Sequence, residues 1–148
     1  MSAFPPVARV VPHAPPMLAL DEVLAWEPGR IECRLVVREG ALFVGAGGVD
    51  GVWTLEFMAQ AVAACLGCEA LLADAGIRVG MIVACRSMSL ERALVPIGTE
   101  LTIVAERVRG SDSTSLFQSE VRDGHGLVAR ATLTLVHGEG LAGPRAQP

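Results

Sequence analysis

Two residues of this chain have the type and setting for proton transfer. Glu56 stands one turn into the apolar run Gly51-Val52-Trp53-Thr54-Leu55-Glu56-Phe57-Met58-Ala59-Gln60. A carboxylate isolated among apolar neighbours is expected to have a raised pKa, because desolvation disfavours its charged form. Such a group can trade protons near neutral pH. If the run is helical, its amino end also offers backbone N–H groups able to polarise a carbonyl oxygen. His13 lies in Val11-Pro12-His13-Ala14-Pro15-Pro16-Met17, where prolines on both sides restrict the backbone and suit an imidazole held in one orientation. Structural roles compete with both readings. Glu56 can bridge a subunit contact or simply favour the first helical turns, and His13 can bond a loop carbonyl. His125, in a hairpin turn, and His137, near the chain end, are expected at the solvent.

Other chemistries have little support. Cys65 and Cys68 form a C-x-x-C inside the apolar run rather than at a helix start, and no second pair or His-x-x-x-His accompanies them. The four cysteines, Cys33, Cys65, Cys68 and Cys85, are expected to be buried free thiols. Gly-x-Ser-x-Gly is absent, and the glycines of 45–51 do not make a dinucleotide fingerprint. No metal and no cofactor is expected. A formal charge of −4 gives no basic footprint for nucleic acid. All twelve basic residues are arginine, which reads as genomic base composition more than chemistry. The prolines before residue 17 interrupt any signal-peptide core, so a reducing cytoplasm is the expected location.

The 148 residues, 51% apolar and 19% charged, suit one packed domain spanning 1–148. Residues 1–16 hold five of the nine prolines and read as an irregular lead-in. Strands are expected at Met17–Trp26 and Arg30–Arg38, separated by the turn Glu27-Pro28-Gly29, with Ile31, Cys33, Leu35 and Val37 forming one face of the second. Glu39–Asp50, rich in glycine, reads as a loop. A helix of roughly 35 Å then spans Gly51 to Asp74, closed by Ala75-Gly76. Its only charges before Leu72 are Glu56 and Glu69, and it imitates a membrane span. The buried polar groups favour a helix enclosed by its own protein instead. Four more strands follow, Val79–Arg92, Thr99–Arg109, Ser113–Asp123 and Gly126–Val136, before a tail from Gly138 that is expected to fray. The order implies an α+β layout, an antiparallel sheet of about six strands curling around one long helix, with a second subunit covering what remains.

These segments resemble the hot-dog fold 3-hydroxyacyl-[acyl-carrier-protein] dehydratases of fatty acid biosynthesis over most of residues 11–136. Val11-Pro12-His13-Ala14-Pro15-Pro16-Met17-Leu18-Ala19-Leu20-Asp21 is similar to the family's Leu-Pro-His-Arg-x-Pro-x-Leu-Leu-x-Asp opening. Leu55-Glu56-Phe57-Met58-Ala59-Gln60-Ala61 resembles the central-helix Glu-x-Met-Ala-Gln-Ala, the most specific element. Val95-Pro96-Ile97-Gly98-Thr99-Glu100-Leu101 is similar to the Pro-Gly-Asp-x-Leu opening a later strand.

The resemblance implies a lyase that removes water from a 3-hydroxyacyl thioester carried on the pantetheine arm of an acyl carrier protein, in a tunnel built by a homodimer. Glu56 corresponds to the family's acid. Amides around Gly51 and Val52, and at a strand glycine matching Gly80, are implied to hold the thioester carbonyl. The family's histidine falls fourteen residues before the acid, where this chain has Leu42 in Ala41-Leu42-Phe43-Val44. Leucine transfers no proton, so Leu42 and Phe43 imply a remodelled substrate mouth. This altered loop, with His13 and Glu56 retained, resembles a divergent branch found with aryl polyene clusters. Three functions are therefore open. One is a dehydratase-like enzyme with His13 replacing the lost histidine. The others are an acyl thioesterase in which Glu56 activates water, and a non-catalytic acyl-binding partner subunit.

Overall fold

The computed structural model describes residues 3–74 and 80–137. The strands are β1 (Glu22–Glu27), β2 (Arg30–Val36), β3 (Gly48–Asp50), β4 (Gly80–Leu90), β5 (Leu94–Pro96), β6 (Glu100–Gly110), β7 (Thr114–Asp123) and β8 (Gly126–His137). The helix α1 (Thr54–Leu72) falls between β3 and β4. Six strands pair antiparallel in the order β1-β2-β6-β7-β8-β4. Period-two alternation decides their facing. Ile31, Cys33 and Leu35 on β2, Leu101, Ile103 and Ala105 on β6, Phe117 and Val121 on β7, and Ala129, Ala131, Leu133 and Leu135 on β8 are buried. That face packs on α1. The layout is the hot-dog arrangement expected.

A 3-10 turn at Gly51–Trp53 leads into α1, capped by the Asp50 carboxylate, which accepts from the Val52 amide at 3.0 Å. The 19 residues of α1 span roughly 28 Å, less than expected, because the first turn is 3-10 and Asp74 already takes a left-handed φ of 54°. The expected stop at Ala75-Gly76 lies outside the described residues, as do Val79 and the tail from Gly138.

The stretch Gly51–Leu72 is long and apolar enough to cross a membrane, yet half of it is buried inside this fold, the mark of a core helix. One side is covered by the sheet. Another is covered by the lead-in, where Val7, Val10 and Val11 are buried. The lead-in is irregular, apart from a 3-10 turn at Val7–Arg9, but firmly packed. Near its carboxyl end the helix is tied by Glu69, which accepts from the Gly29 amide at 2.9 Å and the Arg107 guanidinium at 2.8 Å.

Three expectations need correction. β3, inside the expected loop Glu39–Asp50, and β5, between the expected strands Val79–Arg92 and Thr99–Arg109, form a separate two-stranded ribbon. Each strand has three residues, too few to show a period, and the ribbon closes because Gly48 (φ 137°) lets Val95 approach where a side chain would clash. Cys85 is exposed on the edge strand, unlike the buried Cys33, Cys65 and Cys68. His137 is half-buried, with Nε2 2.8 Å from the Oγ of buried Ser115, whereas His125 is exposed as expected.

Candidate active site

Gln60 organises the amino-terminal half of α1. It is fully buried one turn beyond Glu56. Its amide nitrogen donates to the Met17 carbonyl at 2.7 Å and to Glu56 Oε1 at 3.0 Å, and its oxygen accepts from the Ala19 amide at 2.9 Å. One side chain thus fastens the segment leaving the lead-in to the helix and orients the carboxylate. Sequence reasoning gave Gln60 no role in the site. The available signal was a lone amide one turn after the acid in an otherwise apolar helix.

The lead-in delivers His13 to the same place. His13 Nε2 lies 3.6 Å from Glu56 Oε1, although the two are 43 positions apart in the sequence. That is within a small adjustment of a hydrogen bond or one bridging water. Both side chains keep 28% of their surface exposed. The expectation of a carboxylate isolated among apolar neighbours is therefore corrected, since Glu56 is half-buried with an imidazole and an amide beside it. The other imidazole nitrogen, Nδ1, is buried without a hydrogen-bond partner. Buried polar atoms in native proteins are nearly always satisfied, so this one suits a group that something else meets.

Phe43 is buried and packs against the Trp53 ring at 4.7 Å and edge-on to Phe57 at 5.7 Å. A cavity of about 220 Å³ opens beside this cluster, with Leu18, Leu35, Val37, Leu42 and Phe57 among its walls. At its rim Asp21 pairs with Arg38 at 2.7 Å while its other oxygen accepts from the Val36 amide. Leu42 itself is 54% exposed.

The amides expected to hold a carbonyl are less available. The Gly51 N–H already donates to the Ala93 carbonyl at 2.8 Å, and the Val52 N–H is taken by Asp50. Only the Val52 bond, to an exposed side chain, can be exchanged for a ligand. Gly51 is required for packing: a side chain there would run into Arg92 and Leu90, which places the Leu90 end of β4 against the helix start. Gly80 pairs with His137 at the opposite end of that strand, roughly 30 Å away by extended-chain geometry. A single chain does not bring Gly80 to Glu56.

Among curated proteins none matches. The family model described as ApeP-like, ApeP dehydratase, matches residues 5–143. Among solved structures, the dehydratase heterocomplex ApeI:P of Xenorhabdus doucetiae is similar with a TM-score of 0.85 at 21% identity, over 92% of this chain and 93% of that one. A hypothetical thioesterase of Streptococcus pneumoniae, solved with coenzyme A, gives 0.64 at 16% identity over 79% and 84%. The Escherichia coli PaaI protein from the phenylacetic acid degradation operon gives 0.62 at 15% identity over 78% and 81%. The structural likenesses establish the hot-dog fold. With 139 consecutive positions matched by the family model (5 through 143), the chain belongs to the ApeP-like dehydratase family.

Proposed function

We propose that this chain is a dehydratase of 3-hydroxyacyl thioesters presented by an acyl carrier protein, working in the cytoplasm as a homodimer, with Glu56 and His13 as its proton-transferring pair. Family membership and the hot-dog fold support a hot-dog acyl-thioester enzyme. The observation that carries the finer reading is the 3.6 Å approach of His13 Nε2 to Glu56 Oε1.

The elimination needs one base and one acid on neighbouring carbons. His13 Nε2 removes the proton from C2 of the acyl chain, and the freed electron pair forms the C2=C3 bond. The C3–O bond breaks as the Glu56 carboxylic acid protonates the hydroxyl, which leaves as water. The proton taken from C2 then passes from imidazolium to carboxylate across the short gap between them, restoring both groups. Gln60 keeps Glu56 aimed throughout, and the apolar cavity beside Phe43 and Leu42 accepts part of the acyl chain.

Gly80 joins this site through a second copy. β4 lies at the sheet edge and is exposed along its length, with Met81, Ile82 and Val83 uncovered. Antiparallel pairing of two such edges sets the Gly80 end of each copy beside the Leu90 end of the other, and so beside the other's helix start. The amides of Val52 and of the second copy's Gly80 then converge on one thioester carbonyl.

A specific observation favours a second reading. Leu42 occupies the position of the family resemblance's histidine and can move no proton, and the ApeI:P structure is named a heterocomplex. Under that reading the chain binds acyl groups as the partner of an active homologue.

Incubation with 3-hydroxyacyl and saturated acyl carrier proteins, followed by mass spectrometry, decides between them. Loss of water that disappears in Glu56→Gln while folding is retained supports the dehydratase. Release of free acid points to a thioesterase. Retained acyl binding with no product, restored to turnover only by a homologue, supports the partner subunit.

A further inference from the structure

We propose a second site, for a phosphate-type oxyanion, on the outer face of the sheet around Arg86 and Arg109. It does not rest on the proposed dehydratase reading. A concavity of about 280 Å³ on that face is lined by Arg86 and Arg109 together with Thr114, Thr134 and Ser111. Among the described residues no acidic side chain lines it, and neither arginine has a carboxylate within ion-pairing distance. That is unusual here. A neighbouring concavity on the same face also holds two arginines, Arg30 and Arg130, but it contains Glu106 and Glu120, and each arginine has a carboxylate partner of its own. One hollow is neutralised and the other carries two uncompensated positive charges.

The strand geometry brings both arginines to the wall of one hollow. Inward residues alternate along β6 as Leu101, Ile103 and Ala105, then Arg107, which reaches Glu69 and the Phe117 ring on the helix side of the sheet. Strict alternation would send Arg109 inward as well. Instead the ladder skips Val108, Arg109 pairs with outward-facing Leu116, and the side chain changes face. On β4 the register shifts again between Cys85 and Ser87, leaving Arg86 without a ladder partner on β8. Its Nε instead donates to Thr134 Oγ1 on the outer face, at 3.4 Å. The bulge in β6 thus turns Arg109 to the outer face, where Arg86 already lies by alternation from inward-facing Cys85. Without the bulge, Arg109 would face inward beside Arg107. Guanidinium forks with nearby hydroxyls match the geometry and charge of a phosphate.

The same chemistry can come from free phosphate or from the phosphates of a thioester carrier. Isothermal titration of the intact protein with inorganic phosphate at constant ionic strength tests the site, with coenzyme A and phosphate-free pantetheine as separate arms. Saturable phosphate binding in the millimolar range or tighter is expected, weakened at least tenfold in Arg86→Ala/Arg109→Ala and largely restored by the double lysine variant. A matching loss for coenzyme A, with pantetheine unaffected, assigns the carrier phosphates as the source. Loss of phosphate binding alone assigns the free ion. Absence of saturation, or equal binding by the double alanine variant with its native circular dichroism intact, overturns the proposal. Arg30→Ala/Arg130→Ala, in the neutralised hollow, should leave phosphate binding unchanged.

Discussion

The carbonyl oxygen of Val10 rests directly on α1 at Gly67, where an added β-carbon would overlap it. This contact seats the lead-in that carries His13 three residues further on. Gly67→Ala is therefore expected to destabilise the fold by about 1–3 kcal/mol through overpacking and to displace His13 from Glu56, lowering turnover. Denaturant unfolding and activity measured together check this. Gly124→Ala, which meets nothing within 4 Å, should change stability by no more than about 0.5 kcal/mol.

Gln60→Met keeps the volume of the side chain but removes all three of its hydrogen bonds. It leaves the Met17 carbonyl and Ala19 amide to find other partners, a loss of about 2–4 kcal/mol at roughly 1 kcal/mol or more per bond. A positioning role predicts that kcat falls more than KM rises, because Glu56 remains present but unaimed. An unchanged kcat with reduced stability would leave Gln60 a purely structural residue.

Charges on the open edge should prevent strand pairing. Met81→Lys/Val83→Lys is expected to convert a dimer to a monomer on sedimentation analysis, with secondary structure preserved. Turnover should be lost with the dimer if the second copy's Gly80 completes the site.

The buried thiols predict the alkaline limb of the stability profile. Burial pushes Cys33 and Cys65 up to about 12 and Cys68 up to about 11. Their folded pKa values exceed the ordinary 9.0, so above about pH 9 the unfolded chain loses protons that the folded chain keeps. Stability should be independent of these groups below pH 9 and fall as pH rises from there toward 12, by up to about 1.4 kcal/mol per pH unit for each thiol. Cys33→Ala should shallow that slope. In the Met81→Lys/Val83→Lys monomer an alkylating reagent should label exposed Cys85 first and the other three only on unfolding.

Much of this architecture was legible along the chain. Alternation in β2 and β6, the turn between β1 and β2, and one apolar stretch with good helix formers each carry their structure locally. Glu56 was legible for the same reason, as a charge where the pattern demands none. The β3–β5 ribbon was not, since its stability comes from a close backbone approach at Gly48 and not from any run of residues.

Sequence by itself determined the six strands of the main sheet, the facing of the regularly alternating ones and the helix that bears the acid, because those follow from local periodicity and from the cost of burying charge. Tertiary structure alone decided which groups meet. It brought His13 across 43 positions to Glu56, spent the Gly51 amide on Ala93, placed Gly80 at the far end of its strand, and made Gln60 the hinge of the site. Those relationships depend on the path of the lead-in over Gly67 and on the direction of β4, and a path through space has no signature in the spacing of residues.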